Sequence, residues 1–74
     1  MAKNLLGRKA KVISDNDCYD SFRKKTLIIT HVAYSTKDHP GYDACLQGEA
    51  LCDFKDLNGN DIPCSLYEYE FQLL

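Results

Sequence analysis

A chain of 74 residues has room for one domain and is too short for a dinucleotide-binding fold or an eight-fold barrel. Its 45% hydrophobic residues, five tyrosines among them, exclude a disordered tail, and its net charge of −2 stands against a wholly basic nucleic-acid-binding surface. Surface scaling predicts that a folded chain of this mass exposes roughly 4,600 Å² of the roughly 12,200 Å² open in the unfolded state, so the core must be small.

The chain reads as one domain over residues 1–74, with its core over about residues 7–73. Lys9-Ala10-Lys11-Val12 alternates with a two-residue period and predicts a first strand over about residues 8–14. Residues 14–25 are polar and turn-rich, a long loop whose only large apolar groups are Tyr19 and Phe22. Thr26 to Tyr34 is rich in β-branched residues and predicts a central strand; both of its faces are apolar, so pattern alone does not fix its register. Residues 35–49 form a second long loop around the turn dipeptide Pro40-Gly41.

Alternation is clearest in the last third. Ala50, Cys52 and Phe54 share one face of a third strand, and Asn58-Gly59 predicts a tight hairpin turn with positive φ. Ile62, Cys64 and Leu66 alternate in a fourth strand, with Pro63 at an edge or outward position because it cannot donate to a ladder. Tyr67, Tyr69, Phe71 and Leu73 alternate with Glu68, Glu70 and Gln72 to the end.

This order of strand, long loop, strand, loop, hairpin and short terminal strand resembles the Src-homology-3-like barrels, small examples of which occur in bacteria and phages. The closing part carries the resemblance: Leu51-Cys52-Asp53-Phe54, Asn58-Gly59, Ile62-Pro63-Cys64-Ser65, then Leu66-Tyr67-Glu68-Tyr69-Glu70. It implies an all-β, five-stranded barrel with two long loops and a single helical turn before the last strand, over Ser65 to Glu68. It also implies that the first and last strands pair, setting Arg8, Lys9 and Lys11 beside Glu68, Glu70 and Gln72. That pairing would explain why residues 1–37 carry +5 and residues 38–74 carry −7. The Leu-Tyr-Glu-Tyr run lies at the end of the chain, not near the start as in peptide-binding members, and the chain has no Trp, so the proline-peptide pocket is not carried over.

Chemistry is sparsely signalled. No apolar run follows the start and none approaches about 18 residues, which predicts a soluble cytoplasmic chain with no membrane span. Cys18, Cys45, Cys52 and Cys64 are irregularly spaced without a Cys-x-x-Cys pair and are expected to remain thiols rather than metal or redox centres. His31 reads as a strand residue without a neighbour suited to complete a site. His39, Asp43 and Cys45, with Asp38, suit neither a nucleophile relay nor a metal set of known spacing, so no catalysis and no cofactor is expected. The remaining function is binding, with another protein as the expected partner. Tyr19, Phe22, His39 and Tyr42 on the two loops are the candidate contacts, and covering the open end of the barrel is their structural alternative. Arg23 and Lys24, followed by Lys25, supply a basic cluster for the alternative of a nucleic-acid-associated barrel, and a thiol- or metal-binding protein is the third reading.

Overall fold

The computed structural model describes residues 4–46 and 48–74. Alternating apolar residues place five strands in one antiparallel sheet: β1 (Lys9–Val12), β2 (Leu27–Ala33), β3 (Leu51–Asp56), β4 (Leu66–Tyr67) and β5 (Phe71–Leu73). Their spatial order is β4-β3-β2-β1-β5, so the first and last strands lie side by side, with Ala10 opposite Leu73 and Val12 opposite Phe71. The rest of the described chain is loop and single 3-10 turns, and the molecule is all-β. β4 and β5 are the two edges, and the sheet is not closed by a ladder between them. A 3-10 turn over Glu68–Glu70 joins them instead, a few residues later than the expected turn at Ser65 to Glu68.

The inner face builds the main core. Ala10 and Val12 of β1, Leu27 and Ile29 of β2, Cys52 and Phe54 of β3, Leu66 and Phe71 all converge there with Tyr19 and Phe22 from the first loop. Phe54 and Phe71 meet edge to face at 5.2 Å, an arrangement their ring quadrupoles favour. The Cα radius of gyration is 11.6 Å, against about 11 Å for a compact chain of this length.

β2 carries a bulge that the sequence does not announce. Ile29 faces Phe54, but the next pair is His31 with Asp53, which leaves Thr30 without an opposite residue. The extra residue reverses the parity of the strand. Leu27 and Ile29 point inward before it; Val32 faces the core after it, while His31 and Ala33 turn to the outer face. This is why both faces of the segment read as apolar.

The hairpin after β3 differs from the expected tight turn. Within this turn only Gly59 has positive φ, at 86°; among the described residues Gly7 and Gly48 share that sign and no other residue type does. Gly59 N–H donates to the Asp56 carbonyl at 3.1 Å, and Asp56 N–H to the Asn60 carbonyl at 2.9 Å. This is a type I turn closed by a left-handed glycine, the three-residue hairpin solution. The nearly buried Asp56 carboxylate accepts Asn58 N–H and Asn60 N–H, and these bonds, the Asn60 one foremost, hold its carboxyl below the ordinary range. The returning arm pairs only through Asp61 opposite Lys55 and Ile62 N–H on the Phe54 carbonyl. Pro63 stays outside the ladder, and β4 resumes for just two residues.

Of the expected cross-strand neighbours Lys11 and Gln72 do pair, but among the described residues no opposite charges face each other in the β1–β5 register. Lys11 faces neutral Gln72, and Glu68 and Glu70 lie on the 3-10 turn rather than in the β5 register. The Glu70 carboxylate accepts the Tyr19 hydroxyl at 2.9 Å and Tyr67 N–H at 3.0 Å. The charge asymmetry of the two halves is therefore not explained by a β1–β5 ion-pair ladder.

Candidate functional site

The outer face of β2, β3 and β4 is covered by the second long loop, and the cover has two parts. Ala33, Leu51 and Tyr67 form an apolar patch under the buried ring of Tyr42. One step along the same face, His31, Asp53 and Ser65 form a polar patch under His39. The Thr30 bulge is what delivers His31 and Ala33 to this side, a common use of bulges in aiming side chains.

Three tyrosine rings step outward from the apolar patch. Tyr42 meets Tyr67 edge to face at 5.6 Å, and Tyr67 stacks on Tyr69 at 6.0 Å with planes within 4°. Tyr42 is buried, Tyr67 is half-buried, and Tyr69 is 63% exposed. The Tyr42 hydroxyl shares its proton between the carbonyls of Leu46 and Glu49, at 2.7 and 2.6 Å, which ties the last residue of the 3-10 turn Ala44–Leu46 and the chain just before β3 to the ring. Burial, then the neighbouring Tyr67, raise the Tyr42 pKa above that of a free phenol. The Tyr67 hydroxyl accepts Asp43 N–H at 2.7 Å. Beside Tyr42 lies a depression of about 270 Å³ lined also by Ser35, Thr36, Lys37 and Ala44.

In the polar patch, His39 Nε2 lies 3.2 Å from Asp53 Oδ1 and 3.2 Å from Ser65 Oγ, and Ser65 Oγ donates to the same Asp53 oxygen. His39 Nδ1 accepts Gly41 N–H at 2.9 Å. His31 Nδ1 approaches Asp53 Oδ2 at 3.5 Å from the other side. The residue types are those of a hydrolytic relay, but the wiring is not. A relay needs the carboxylate on one ring nitrogen and the hydroxyl on the other, which must be bare to take the hydroxyl proton. Here Asp53 and Ser65 share Nε2, and Nδ1, bare in order to accept Gly41 N–H, leaves Nε2 carrying the proton. The Ser65 hydroxyl gives its own proton to Asp53. The arrangement anchors a loop and does not activate a nucleophile.

The residues singled out from sequence divide sharply. Tyr19 and Phe22 are buried in the main core, 5.7 Å apart, and are not brought together with His39 and Tyr42. Burial, then the hydrogen bond to Glu70, push the Tyr19 hydroxyl pKa well up. His39 and Tyr42 sit together on the outer face, His39 half-buried and Tyr42 buried. Arg23 is held within its own loop: it donates from Nε to the Ser14 carbonyl at 3.0 Å and from Nη2 to the Asn16 carbonyl at 2.5 Å, and it pairs with Asp20. Of the basic cluster, Lys24 and Lys25 stay exposed. Asp38 accepts Tyr34 N–H and the Ser35 hydroxyl, and Asp43 accepts Cys45 N–H. Among the described residues no three His, Cys, Asp or Glu side chains are placed to hold a metal ion, and no helix is long and apolar enough to cross a membrane. His31, Asp53, Ser65, Tyr67 and Tyr69 are not among the predicted contacts; of these, Asp53 is signalled by its outward parity on β3.

Compared with protein-family models, with curated proteins and with solved structures, the chain matches none.

Proposed function

We propose that the chain is a Src-homology-3-like barrel that works as a non-catalytic protein-binding or accessory module, with Tyr69 and the loop that covers β2–β4 around the Tyr42 depression as its contact surface. Three features support the barrel reading: the strand order, the pairing of the first and last strands, and the 3-10 turn between β4 and β5. The observation that carries the binding reading is Tyr69, an exposed ring stacked on Tyr67 at the end of a tyrosine series that begins at the Tyr42 depression. A rigid aromatic standing in solvent offers large contact area at small entropic cost, which is why such rings anchor interfaces. The wiring of Asp53, His39 and Ser65 supports a non-catalytic role.

The test uses the chain as bait against proteins of its own cell. Tyr69→Ala and Lys37→Ala are expected to keep the melting temperature, since both positions are exposed, and to lose partners that the unaltered chain retains. Retention of every partner by both folded variants overturns the assignment of this surface.

A further inference from the structure

We infer that His39 is a proton-controlled latch: on protonation it exchanges its bond to Gly41 N–H for a stronger hold on Asp53, and so reopens the His39-to-Tyr42 turn of the loop covering the outer face. The latch works whether or not that face binds a partner, and its two ends are the ring's two nitrogens. Nδ1 accepts Gly41 N–H at 2.9 Å, which a nitrogen can do only without a proton of its own. His39 is therefore neutral in this arrangement, with its proton on Nε2 facing Asp53 Oδ1 and Ser65 Oγ.

A second proton has one place to go, Nδ1. There it meets Gly41 N–H, donor against donor, and that bond is lost. The same proton makes the ring cationic beside a carboxylate, so the contact with Asp53 becomes charge-assisted and shortens. One end of the latch tightens as the other opens. The Gly41 bond matters to the turn because a Tyr42 N–H to His39 carbonyl bond, at 3.2 Å, is the other link closing it. The fit is close: a Cβ at Gly41 would lie 3.3 Å from His39 Nδ1 and Cε1.

Among the described residues, the titratable groups facing His39 are Asp53 from β3 and His31 from β2, whose ring lies 6.4 Å away; Ser65 adds a hydroxyl. Two imidazoles share one carboxylate, since His31 Nδ1 reaches Asp53 Oδ2. A single added proton is compensated by that carboxylate, and a second is not. The His31 substitution below separates the two.

The experiment is NMR of the full chain across about pH 8 to 5, the range in which histidine changes charge. Ring nitrogen shifts of His39 above its titration are expected to show Nδ1 bare and Nε2 protonated. On protonation, the hydrogen-exchange protection of the Gly41 amide, taken relative to an unstructured peptide at the same pH, is expected to fall about fivefold, the loss of one ordinary hydrogen bond. His39→Asn supplies a side-chain oxygen that accepts the amide two residues on, whatever the pH, and should make Gly41 protection flat. His31→Gln should leave the fall in place. A protonated Nδ1 in the neutral ring overturns the inference. So does Gly41 protection that is unchanged through the His39 titration, or a fall that persists in His39→Asn.

Discussion

Cys52 lies fully buried on the inner face of β3, opposite Leu66. Burial, reinforced by Glu68 and then Asp53, pushes its thiol from an ordinary 9.0 up to about 12. The sign follows from linkage. The folded-state value is raised, so above the unfolded value the unfolded chain gives up a proton that the folded chain keeps. The contribution is whole at pH 8 and lost as pH climbs from about 9 towards 12. By pH 10 the loss is about 1.4 kcal/mol, one unit of difference at 1.36 kcal/mol per unit. With a urea slope of about 1 kcal/mol/M for so small a domain, the midpoint falls by roughly 1.4 M. Other groups titrate in the same range, so the measurement is a difference. Urea midpoints of the unaltered chain and Cys52→Ala are compared at pH 8 and pH 10, under reductant. The variant starts lower, because it leaves a small gap in the core, but it should lose less on going to pH 10. Midpoints that fall in parallel would show that the Cys52 thiol ionises as readily in the folded chain as in the unfolded one.

Tyr19→Phe removes the hydroxyl that joins the first loop to Glu70 and should cost about 1–2 kcal/mol in denaturant melts; an unchanged midpoint would mean the bond to Glu70 carries no net weight. Gly59→Ala places a Cβ at φ 86° with no neighbour to strike, so its cost should be the backbone term alone, about 1–2 kcal/mol, checked by thermal melting. Thiol labelling of the native chain should modify exposed Cys18 and Cys45 first, Cys64 more slowly, and Cys52 only at the rate of global opening; early labelling of Cys52 would contradict its burial.

The three long strands were legible because each carries a simple physical signature. Lys9 to Val12 and Leu51 to Asp56 alternate, and Leu27 to Ala33 is rich in β-branched residues. The bulge was not legible, since Thr30 is an ordinary strand residue and nothing local says that it lacks an opposite number. The end of the chain misled in another way. Tyr67, Tyr69, Phe71 and Leu73 keep a two-residue period straight through a 3-10 turn, so alternation hides the break between β4 and β5 and the resemblance places the turn a few residues early, over Ser65 to Glu68. The outer-face site was half legible. His39 and Tyr42 stood out in a loop too long to be a mere connection, but the partners of His39 lie 14 and 26 positions away and converge only once β3 and β4 are paired. Tyr19 and Phe22 had the same surface-loop setting in sequence, and the demand of a small core for large side chains drew them inside.

The covering loop also constrains how this molecule can change. Connections between strands usually tolerate insertion and deletion, because little rests on their length. Residues 36–46 are different: Tyr42 roofs Ala33 and Leu51, and its hydroxyl fixes where the chain must re-enter at Glu49. Shortening this segment would strip a sheet face bare, so variation in length should fall instead at the Asn58 tip, whose side is open to water.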